Sequence, residues 1–400
     1  MKPAAANRPP SNPPVILIAG GGTGGHVFPA VAVAEGLASL ADVEVVFCGT
    51  DRGLEARVIP ARGWRLERLV VEPMKGGGVA RAARGAFVAA RATLHAFTLV
   101  RRVRPRAVLS VGGYASGPAT LAAAVLGVPV AILEPNSVPG LANRLLASIA
   151  RRAYVAWDEA AWAFWSAAIR PFGVPLRAGF TPRPYAVRDV PRLLVMGGSQ
   201  GASVLNERLP EAIGAALARG GVRAVDVLHQ AGAGRDAPVR DAYTSAGVAG
   251  VTVVPFIDDV VQAIADADLV IARAGAGTLA EITAIGRPSL LVPFPHAADD
   301  HQARNAEALE RVGAAVCMRQ EGATVERLAT EIARLLGDRD LRIVMARAAA
   351  SRGRPDAAHR VAADLLALAA IPQSAKGTRG ANGVRRLVAA DRPATAGRVS

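Results

Sequence analysis

Two glycine-rich turns are the parts of the sequence best suited to chemistry. The first, GGGTGGH, occupies residues 20–26, and the second, GGSQGA, occupies residues 197–202. Each follows a short apolar run and precedes a helix-like stretch. A turn of this kind leaves backbone N–H groups free at the positive end of the helix dipole, so each turn can hold a phosphate.

A histidine closes the first turn. His26 stands where the predicted helix begins, at the end of the turn that faces a ligand. An imidazole at that place can accept a proton from an incoming hydroxyl. The alternative is that His26 only caps the helix or contacts a phosphate.

A third segment joins a glycine turn to a carboxylate. After the apolar run 268–272 the chain reads RAGAGTLAE, with the turn at Gly275 to Gly277. Glu281 lies one helical turn beyond Thr278, where its two oxygens can accept both hydroxyls of a ribose. The alternative is a solvated helix residue, but an acid in so apolar a run usually has a partner.

Continuous apolar runs, typical of buried parallel strands, precede these turns and must position them. Strands are predicted near residues 15–19, 43–48, 107–111, 128–133, 153–156, 193–196, 225–229, 251–254, 268–272, 289–292 and 314–317. They alternate with helix-length segments, which indicates parallel sheets with right-handed crossovers. The sequence therefore predicts an α/β protein of two doubly wound lobes whose strand ends face one cleft.

The charge of the chain is strongly positive, at +14 over 400 residues. Residues 75–106 hold eight basic residues and no acidic one, together with an apolar stripe at helical spacing. Such a helix can lie on an anionic membrane surface, or the stripe can simply pack on the sheet. No aromatic platform or recognised motif supports nucleic-acid binding.

No membrane-spanning stretch or signal peptide is predicted, which favours a cytoplasmic location. The proline-rich segment 172–192 interrupts the periodic pattern and marks the boundary between the lobes. A last amphipathic helix is predicted over residues 355–370. Residues 1–14 and the basic segment 373–400 are expected to be disordered.

A nicotinamide-dependent oxidoreductase is the competing enzyme class. Gly20, Gly22 and Gly25 satisfy G-x-G-x-x-G after a strand, and Asp51 follows the second strand, where a dinucleotide-binding fold needs an acid for the ribose. The overfull glycine run and its closing histidine argue against this class. A nucleotide-sensing or membrane-bound scaffold is the non-enzyme alternative.

Six motifs together resemble one family. GGTGGHVFPA, GGYASGP, GGSQGA, PFIDD, RAGAGTLAE and DDHQARNA occur in the order typical of the MurG family of peptidoglycan N-acetylglucosaminyltransferases. The resemblance covers about residues 15–370, and a set of motifs in order is far more specific than one motif.

The resemblance implies a GT-B fold with two Rossmann-like lobes. It implies the domains 15–172 for the acceptor- and membrane-facing lobe, 173–352 for the donor-binding lobe and 353–372 for a terminal helix that returns to the first lobe. The implied reaction is inverting transfer of N-acetylglucosamine from UDP to the C4 hydroxyl of an undecaprenyl-pyrophosphoryl muramoyl-pentapeptide. The implied setting is the cytoplasmic face of the inner membrane, with other cell-wall synthesis proteins as further partners.

The resemblance also implies roles for individual residues. His26 is the implied base, and Tyr114 lies on the acceptor side. The implied contacts of UDP-N-acetylglucosamine are Thr23, Gly24, Gly25, Asn136, Arg177, Ser199, Ile257, Ala276, Gly277, Thr278, Leu279, Glu281 and Gln302. Among them, Arg177 and Ser199 would contact the diphosphate and Ile257 the uracil.

No cofactor and no catalytic metal are expected. Asp266 and Asp268 form a D-x-D pattern, but they flank the entry into a strand and are interpreted as turn residues. Arg177, Arg273 and the helix N-termini can instead neutralise a leaving diphosphate.

Overall fold

This computed structural model of the chain describes residues 13–70, 79–113, 115–198, 201–220 and 222–374. Of residues 79–90 only the backbone is described. The predicted terminal extensions fall largely outside these ranges, as do the predicted site residues Tyr114 and Ser199.

The first lobe is built around a seven-stranded parallel sheet. Its elements are β1 (Val15–Gly20), α1 (Gly24–Leu40), β2 (Glu44–Gly49), α2 (Glu55–Ala61), β3 (Arg65–Arg68), α3 (Val79–Val103), β4 (Ala107–Gly112), α4 (Ser116–Val125), β5 (Val130–Glu134), α5 (Leu141–Leu146), β6 (Arg152–Val155) and β7 (Ala168–Arg170). The strand order in the sheet is β3-β2-β1-β4-β5-β6-β7. Two 3₁₀ segments, Ala147–Ile149 and Asp158–Phe164, flank β6.

The second lobe is built around a six-stranded parallel sheet. Its elements are β8 (Arg192–Met196), α6 (Ser203–Ala218), β9 (Asp226–Gln230), α7 (Asp236–Ser245), β10 (Val251–Val254), α8 (Val260–Asp266), β11 (Leu269–Ala272), α9 (Ala276–Ile285), β12 (Ser289–Leu291), α10 (His301–Arg311), β13 (Ala315–Cys317), α11 (Val325–Gly337) and α12 (Arg339–Arg352). The strand order in the sheet is β10-β9-β8-β11-β12-β13. A last helix, α13 (Ala357–Leu368), follows in the chain. Short 3₁₀ segments, Ala298–Asp300 and Gln320–Gly322, precede α10 and α11.

Both faces of each sheet are covered, which explains the continuous apolar runs. In β1, Ile16 and Ile18 join the core on one face of the sheet, while Leu17 and Ala19 join the core on the other face. Successive strand residues point to opposite faces, so a strand buried on both sides needs apolar residues at every position. The eleven predicted strands are confirmed within one or two residues at each end.

Two strands of the first lobe were not predicted from the sequence. β3 reads RLER and β7 reads AIR, and both lie at the edges of the sheet. An edge strand is half-solvated, so charged residues at its exposed positions hide the apolar signal.

The strand order reverses at one place in each sheet, between β1 and β4 and between β8 and β11. The two glycine turns follow β1 and β8, and the turn at Gly275 follows β11. Ligands of open α/β sheets bind at this kind of switch point. The fold thus brings the turns after β1 and β11, and the described ends of the turn after β8, to the ligand-binding edges of their sheets.

The last helix crosses back from the second lobe to the first. Val361, Ala362, Leu365 and Leu366 of α13 belong to the same core cluster as α1. Asp364 of α13 accepts hydrogen bonds from the Tyr154 hydroxyl at 3.0 Å and the Arg170 Nε at 3.2 Å. α13 is therefore part of the first lobe's packing, although it follows the second lobe in sequence.

Among the described residues, no helix combines the length and the apolar character needed to span a membrane.

Candidate active site

The two lobes face each other through their switch points. α1, which follows the first glycine turn, contacts α9, which follows the turn at Gly275. The loop after β5 also contacts α10: Ser137 N donates to the side chain of Asn305 at 2.9 Å. The ligand-binding edges of both sheets therefore line one cleft, as the sequence predicts.

His26 lies in the first turn of α1, half-buried at this cleft. Its Nδ1 is 3.2 Å from the carbonyl oxygen of Gly21. A carbonyl can only accept, so this bond requires the proton on Nδ1 and leaves the Nε2 lone pair free. Burial lowers the pKa of His26, against the opposing effect of the bond to Gly21. The imidazole is therefore poised as a neutral base.

The backbone of Gly112 lies against the imidazole. A Cβ atom at Gly112, whose φ is +89°, would be only 3.0 Å from the His26 Nε2. The absence of a side chain at Gly112 thus leaves room for the ring.

His301, in the other lobe, affects the pKa of His26, which the sequence did not predict. The charge of His301, in the first turn of α10, further lowers the pKa of His26. The Nδ1 of His301 lies 2.7 Å from the Ala298 carbonyl oxygen. The two residues before it, Asp299 and Asp300, have φ values of 52° and 54°, a left-handed conformation that non-glycine residues rarely adopt.

Gln302, the predicted donor contact, is next to His301. Its Oε1 accepts the backbone N–H of Phe294 at 3.1 Å. This bond fixes the side-chain amide. Its NH₂ group has no acceptor in the part of the chain that the structure describes, so it can donate to a ligand.

The N-terminus of α1 presents unused donors. Among the described residues, the backbone N–H groups of Thr23, Gly24 and Gly25 have no hydrogen-bond acceptor, and Thr23 and Gly25 are exposed. The N–H of Gly22, in contrast, donates to the Glu55 carboxylate at 2.7 Å. The first turn therefore offers an anion three N–H groups rather than four.

The N-terminus of α9 has the same character. The N–H groups of Ala276, Gly277 and Thr278 find no acceptor in the described parts of the chain. Leu279 differs: its N–H donates to Gly275 O at 3.0 Å and its side chain is buried. The helix start thus provides three convergent donors, as a diphosphate needs.

Glu281 is half-buried on α9, one turn beyond these donors. Its carboxylate has no hydrogen-bond or ion-pair partner within the described ranges. Burial raises the pKa of Glu281 to about 7, and the nearby charge of Arg177 opposes the rise. An unpartnered carboxylate with a raised pKa in a cleft is typical of a ligand-binding residue.

Arg177 and Ile257 flank this part of the cleft. Arg177 is exposed and lies 5.5 Å from the centre of the Phe180 ring. The side chain of Ile257 is buried with Phe180 in the second lobe's core. The backbone N–H and C=O of Ile257 have no partner among the residues described, so they are free to pair with a ligand.

Asn136 is held by both lobes. Its backbone N–H and its Nδ2 donate to Glu134 at 2.9 and 3.2 Å, and its Oδ1 accepts from Asn305 Nδ2 at 3.3 Å. Glu134 is buried and accepts further bonds from Gly140 N and Asn143 Nδ2, both at 2.9 Å. Pro135, between them, accepts the Trp157 indole N–H at 3.2 Å. Asn136 is thus placed at the junction of the lobes.

Arg273 stabilises a loop of the second lobe. Its guanidinium donates to the carbonyl oxygens of Val292 at 3.1 Å and Pro293 at 3.0 Å, and to the Gln320 side chain at 2.7 Å. These bonds hold the loop after β12, so most of its donor capacity is spent on the fold rather than on a diphosphate.

The D-x-D pair lies at the start of β11, opposite to the cleft. Asp268 is fully buried and accepts the Arg192 backbone N–H at 2.8 Å, and Arg188 lies 3.4 Å from its carboxylate. Asp266 pairs with Arg192 at 3.5 Å. Both acids therefore have partners in the fold. Within the described ranges, His, Cys, Asp and Glu side chains do not assemble in groups of three that could hold a metal ion.

Comparison with known proteins shows two matched domains. Residues 16–155 match the Glycosyltransferase family 28 N-terminal domain, and residues 192–361 match the Glycosyltransferase family 28 C-terminal domain.

Whole-length relatives share one name. A UDP-N-acetylglucosamine--N-acetylmuramyl-(pentapeptide) pyrophosphoryl-undecaprenol N-acetylglucosamine transferase of Sorangium cellulosum is 56% identical, over 90% of this chain and 89% of the relative. A protein of the same name from Anaeromyxobacter dehalogenans is 44% identical, over 87% of this chain and 91% of the relative.

A solved structure has the same fold. The crystal structure of Acinetobacter baumannii MurG matches with a TM-score of 0.77 and 32% identity, covering 89% of this chain and 100% of the other. The resemblance inferred from six motifs thus extends over both lobes, and the chain belongs to the MurG family of glycosyltransferases.

Proposed function

We infer that this protein transfers N-acetylglucosamine from UDP-N-acetylglucosamine to the C4 hydroxyl of an undecaprenyl-pyrophosphoryl muramoyl-pentapeptide in peptidoglycan synthesis. The names of its whole-length relatives give the substrates. The observation that carries the inference is the cleft itself, with a neutral imidazole on one wall and, on the other, a helix N-terminus beside a carboxylate that has no partner among the described residues. The oxidoreductase alternative has no support among the relatives.

The donor is proposed to lie on the second lobe. The N–H groups of Ala276, Gly277 and Thr278, with Arg177, would bind the diphosphate. Glu281 would accept hydrogen bonds from both ribose hydroxyls, because its ionised carboxylate has two acceptor oxygens and no donor. The backbone of Ile257 would pair with the uracil edge, which carries a donor between two acceptors.

The sugar is proposed to lie between the lobes. Asn136 already joins the two walls through Asn305, and Gln302 lies on the wall formed by the second lobe, with its Oε1 bonded to the Phe294 N–H. These side chains and the turn at Thr23 would surround the N-acetylglucosamine. Tyr114 and Ser199, which lie outside the described residues, remain predicted contacts of the acceptor and the diphosphate.

The reaction is proposed as a single displacement. The acceptor C4 oxygen would attack the anomeric carbon on the face opposite the UDP, and the bond from that carbon to the diphosphate oxygen would break. The Nε2 of His26 would take the hydroxyl proton, since Nδ1 is already protonated by its bond to Gly21. The N-terminus of α9 and Arg177 would stabilise the negative charge on the departing UDP.

The enzyme is proposed to work at the membrane surface. The acceptor's polyprenyl tail stays in the bilayer, so the cleft must reach the lipid. α3 carries most of the basic segment 75–106. In the part of α3 whose side chains are described, Ala92, Ala96 and Leu99 are buried, while Leu94 stays 69% exposed beside the exposed Arg91. An exposed apolar residue among cations supports docking on an anionic surface at the cytoplasmic face of the inner membrane.

Two experiments test the proposal. The first measures transfer of labelled N-acetylglucosamine to a muramoyl-pyrophosphoryl-prenol and follows UDP release in parallel. We expect one UDP to be released for each sugar transferred to the lipid. A thermal shift with UDP and with NAD adds a binding test, because a ligand of the folded state raises its melting temperature. Stabilisation by NAD and not by UDP, or UDP binding without sugar transfer, would refute the function.

A further inference from the structure

Glu55 is a buried carboxylate without a role in the mechanism above. It begins α2 and is 2% exposed. Its Oε2 accepts the Gly22 N–H at 2.7 Å, and its Oε1 accepts the Thr50 N–H at 2.9 Å and the Thr50 hydroxyl at 2.8 Å. Each of these donors belongs either to the first glycine turn or to Thr50, the residue directly after β2.

Three glycines make the space that this carboxylate fills. A Cβ atom at Gly21 would lie 2.4 Å from the Glu55 Cδ, one at Gly49 would lie 2.6 Å from its Cγ, and one at Gly53 would lie 2.1 Å from its Oε2. All three distances are far below van der Waals contact, so any side chain at these places would displace the carboxylate. The glycines and Glu55 are therefore one packing unit.

The carboxylate is held in its charged form. Hydrogen bonds from Gly22, Thr50 and its own backbone lower the pKa of Glu55, although burial acts to raise it. A charge-assisted bond is stronger than a neutral one, and an anion bonded from several sides resists displacement. Glu55 thus acts as an internal anion at a turn whose form is typical of phosphate binding.

One residue, Gly21, joins this unit to the candidate base. Gly21 packs on the Glu55 carboxylate, donates its N–H to Gly112 O at 3.1 Å and accepts the His26 Nδ1 proton at 3.2 Å. The direction of the Gly21 carbonyl decides which ring nitrogen of His26 carries the proton. Whatever fixes that carbonyl also fixes the tautomer.

We propose that Glu55 is a positioning residue for the reaction, which locks the first glycine turn so that Gly21 keeps His26 protonated on Nδ1 with Nε2 free toward the cleft. As far as catalysis is concerned, the proposal rests on the proposed function of His26. The orientation of His26 is a separate claim, which can be tested without measuring enzyme activity. A merely structural Glu55 would support α2 and leave the imidazole unchanged.

The decisive variant is Glu55→Gln. Its amide oxygen can replace one carboxylate oxygen toward Thr50, but its NH₂ group then faces the Gly22 N–H, and two donors cannot bond. The matched control is Glu35→Gln, the same chemical change on α1 at an exposed ion pair with Arg62 of 3.0 Å.

The first measurement is the ¹⁵N NMR spectrum of the imidazoles of the full-length protein, with His26→Gln used for assignment. We expect the wild type and Glu35→Gln to show His26 protonated on Nδ1 only, and Glu55→Gln to show a mixture with the Nε2-protonated tautomer. An unchanged His26 signal in folded Glu55→Gln overturns the proposal.

The second measurement is a double-mutant cycle in kcat. Glu55→Gln should lower kcat about 10- to 100-fold, as a misplaced catalytic group does, with the KM for UDP-N-acetylglucosamine within about twofold of wild type. In the His26→Ala background the same change should cost less than about twofold, since Glu55 acts through His26. Equal losses in both backgrounds overturn the proposal.

A milder variant covers the case in which Glu55→Gln does not fold. Thr50→Val removes the hydroxyl that donates to Glu55 at 2.8 Å and accepts from Gly53 N at 3.1 Å, and keeps the backbone bond. It should shift the His26 tautomer in the same direction, and Thr50→Ser should restore it. If His26→Ala proves fully active, the base assignment fails, and the NMR result still decides whether Glu55 orients His26.

Discussion

The pH dependence of donor binding follows from the environment of Glu281. Its pKa is about 7 in the ligand-free cleft, so about a tenth of the molecules carry the carboxylate at pH 6 and about nine-tenths at pH 8. Only the carboxylate accepts both ribose hydroxyls, and the apparent Kd scales inversely with the competent fraction. We therefore expect the Kd of UDP-N-acetylglucosamine to fall about tenfold from pH 6 to pH 8.

The assay is isothermal titration calorimetry at pH 6, 7 and 8 in two buffers of different ionisation enthalpy. UDP-N-acetylglucosamine is the suitable ligand because both of its phosphates are esterified and neither titrates near pH 7. At pH 7 binding should release about half a proton, since half of the Glu281 carboxyls are protonated before binding. Binding is lost as the pH falls, because the protonated form is the incompetent one.

Glu281→Gln should remove this pH dependence and weaken binding. A hydrogen bond to a charged group contributes about 1.5 to 3 kcal/mol, which corresponds to about 10- to 150-fold in Kd at pH 8. Glu211→Gln, an exposed position on α6, is the matched control and should bind like the wild type. A wild-type Kd that is flat between pH 6 and 8, or a Gln variant that keeps the slope, would refute the reasoning.

Two further predictions concern the other wall of the cleft and the membrane. His26→Ala should lower kcat by about two to four orders of magnitude with UDP binding intact in calorimetry, and near-normal turnover would contradict its role as base. Reversal of Arg81, Arg84 and Arg91 to Glu should reduce salt-sensitive binding to anionic liposomes, since each cation near such a surface contributes about 1 kcal/mol. If deletion of residues 373–400 abolishes liposome binding and the triple reversal does not, the docking surface is the tail rather than α3.

The layout of the two lobes could be predicted because strands and turns leave patterns in short stretches of the sequence. A parallel strand buried on both faces must be apolar throughout, and a glycine turn after it leaves a recognisable pattern, as at GGGTGGH and GGSQGA. The motifs in order then identified the GT-B fold and the family before any contact was known, and the comparisons confirm both.

The geometry of the site was not open to prediction, because it depends on contacts between distant residues. The glutamate at position 55 is one acid in the stretch TDRGLEA, and no pattern shows that three glycines surround it. The bond between Asn136 and Asn305 spans 169 positions and two lobes. The influence of His301 on His26 likewise exists only once the lobes face each other. The individual site roles carried over from the family, including that of Leu279, stay predictions.

The return of α13 to the first lobe has a consequence for the order of folding during synthesis. The apolar side of α1 is completed by Val361, Leu365 and Leu366, which the ribosome makes after the 186 residues from 171 to 356. At 5 to 20 residues per second this interval lasts about 10 to 40 seconds. During that time the nascent first lobe exposes an apolar strip, to which chaperones can bind. A chain truncated before residue 357 would keep this strip exposed.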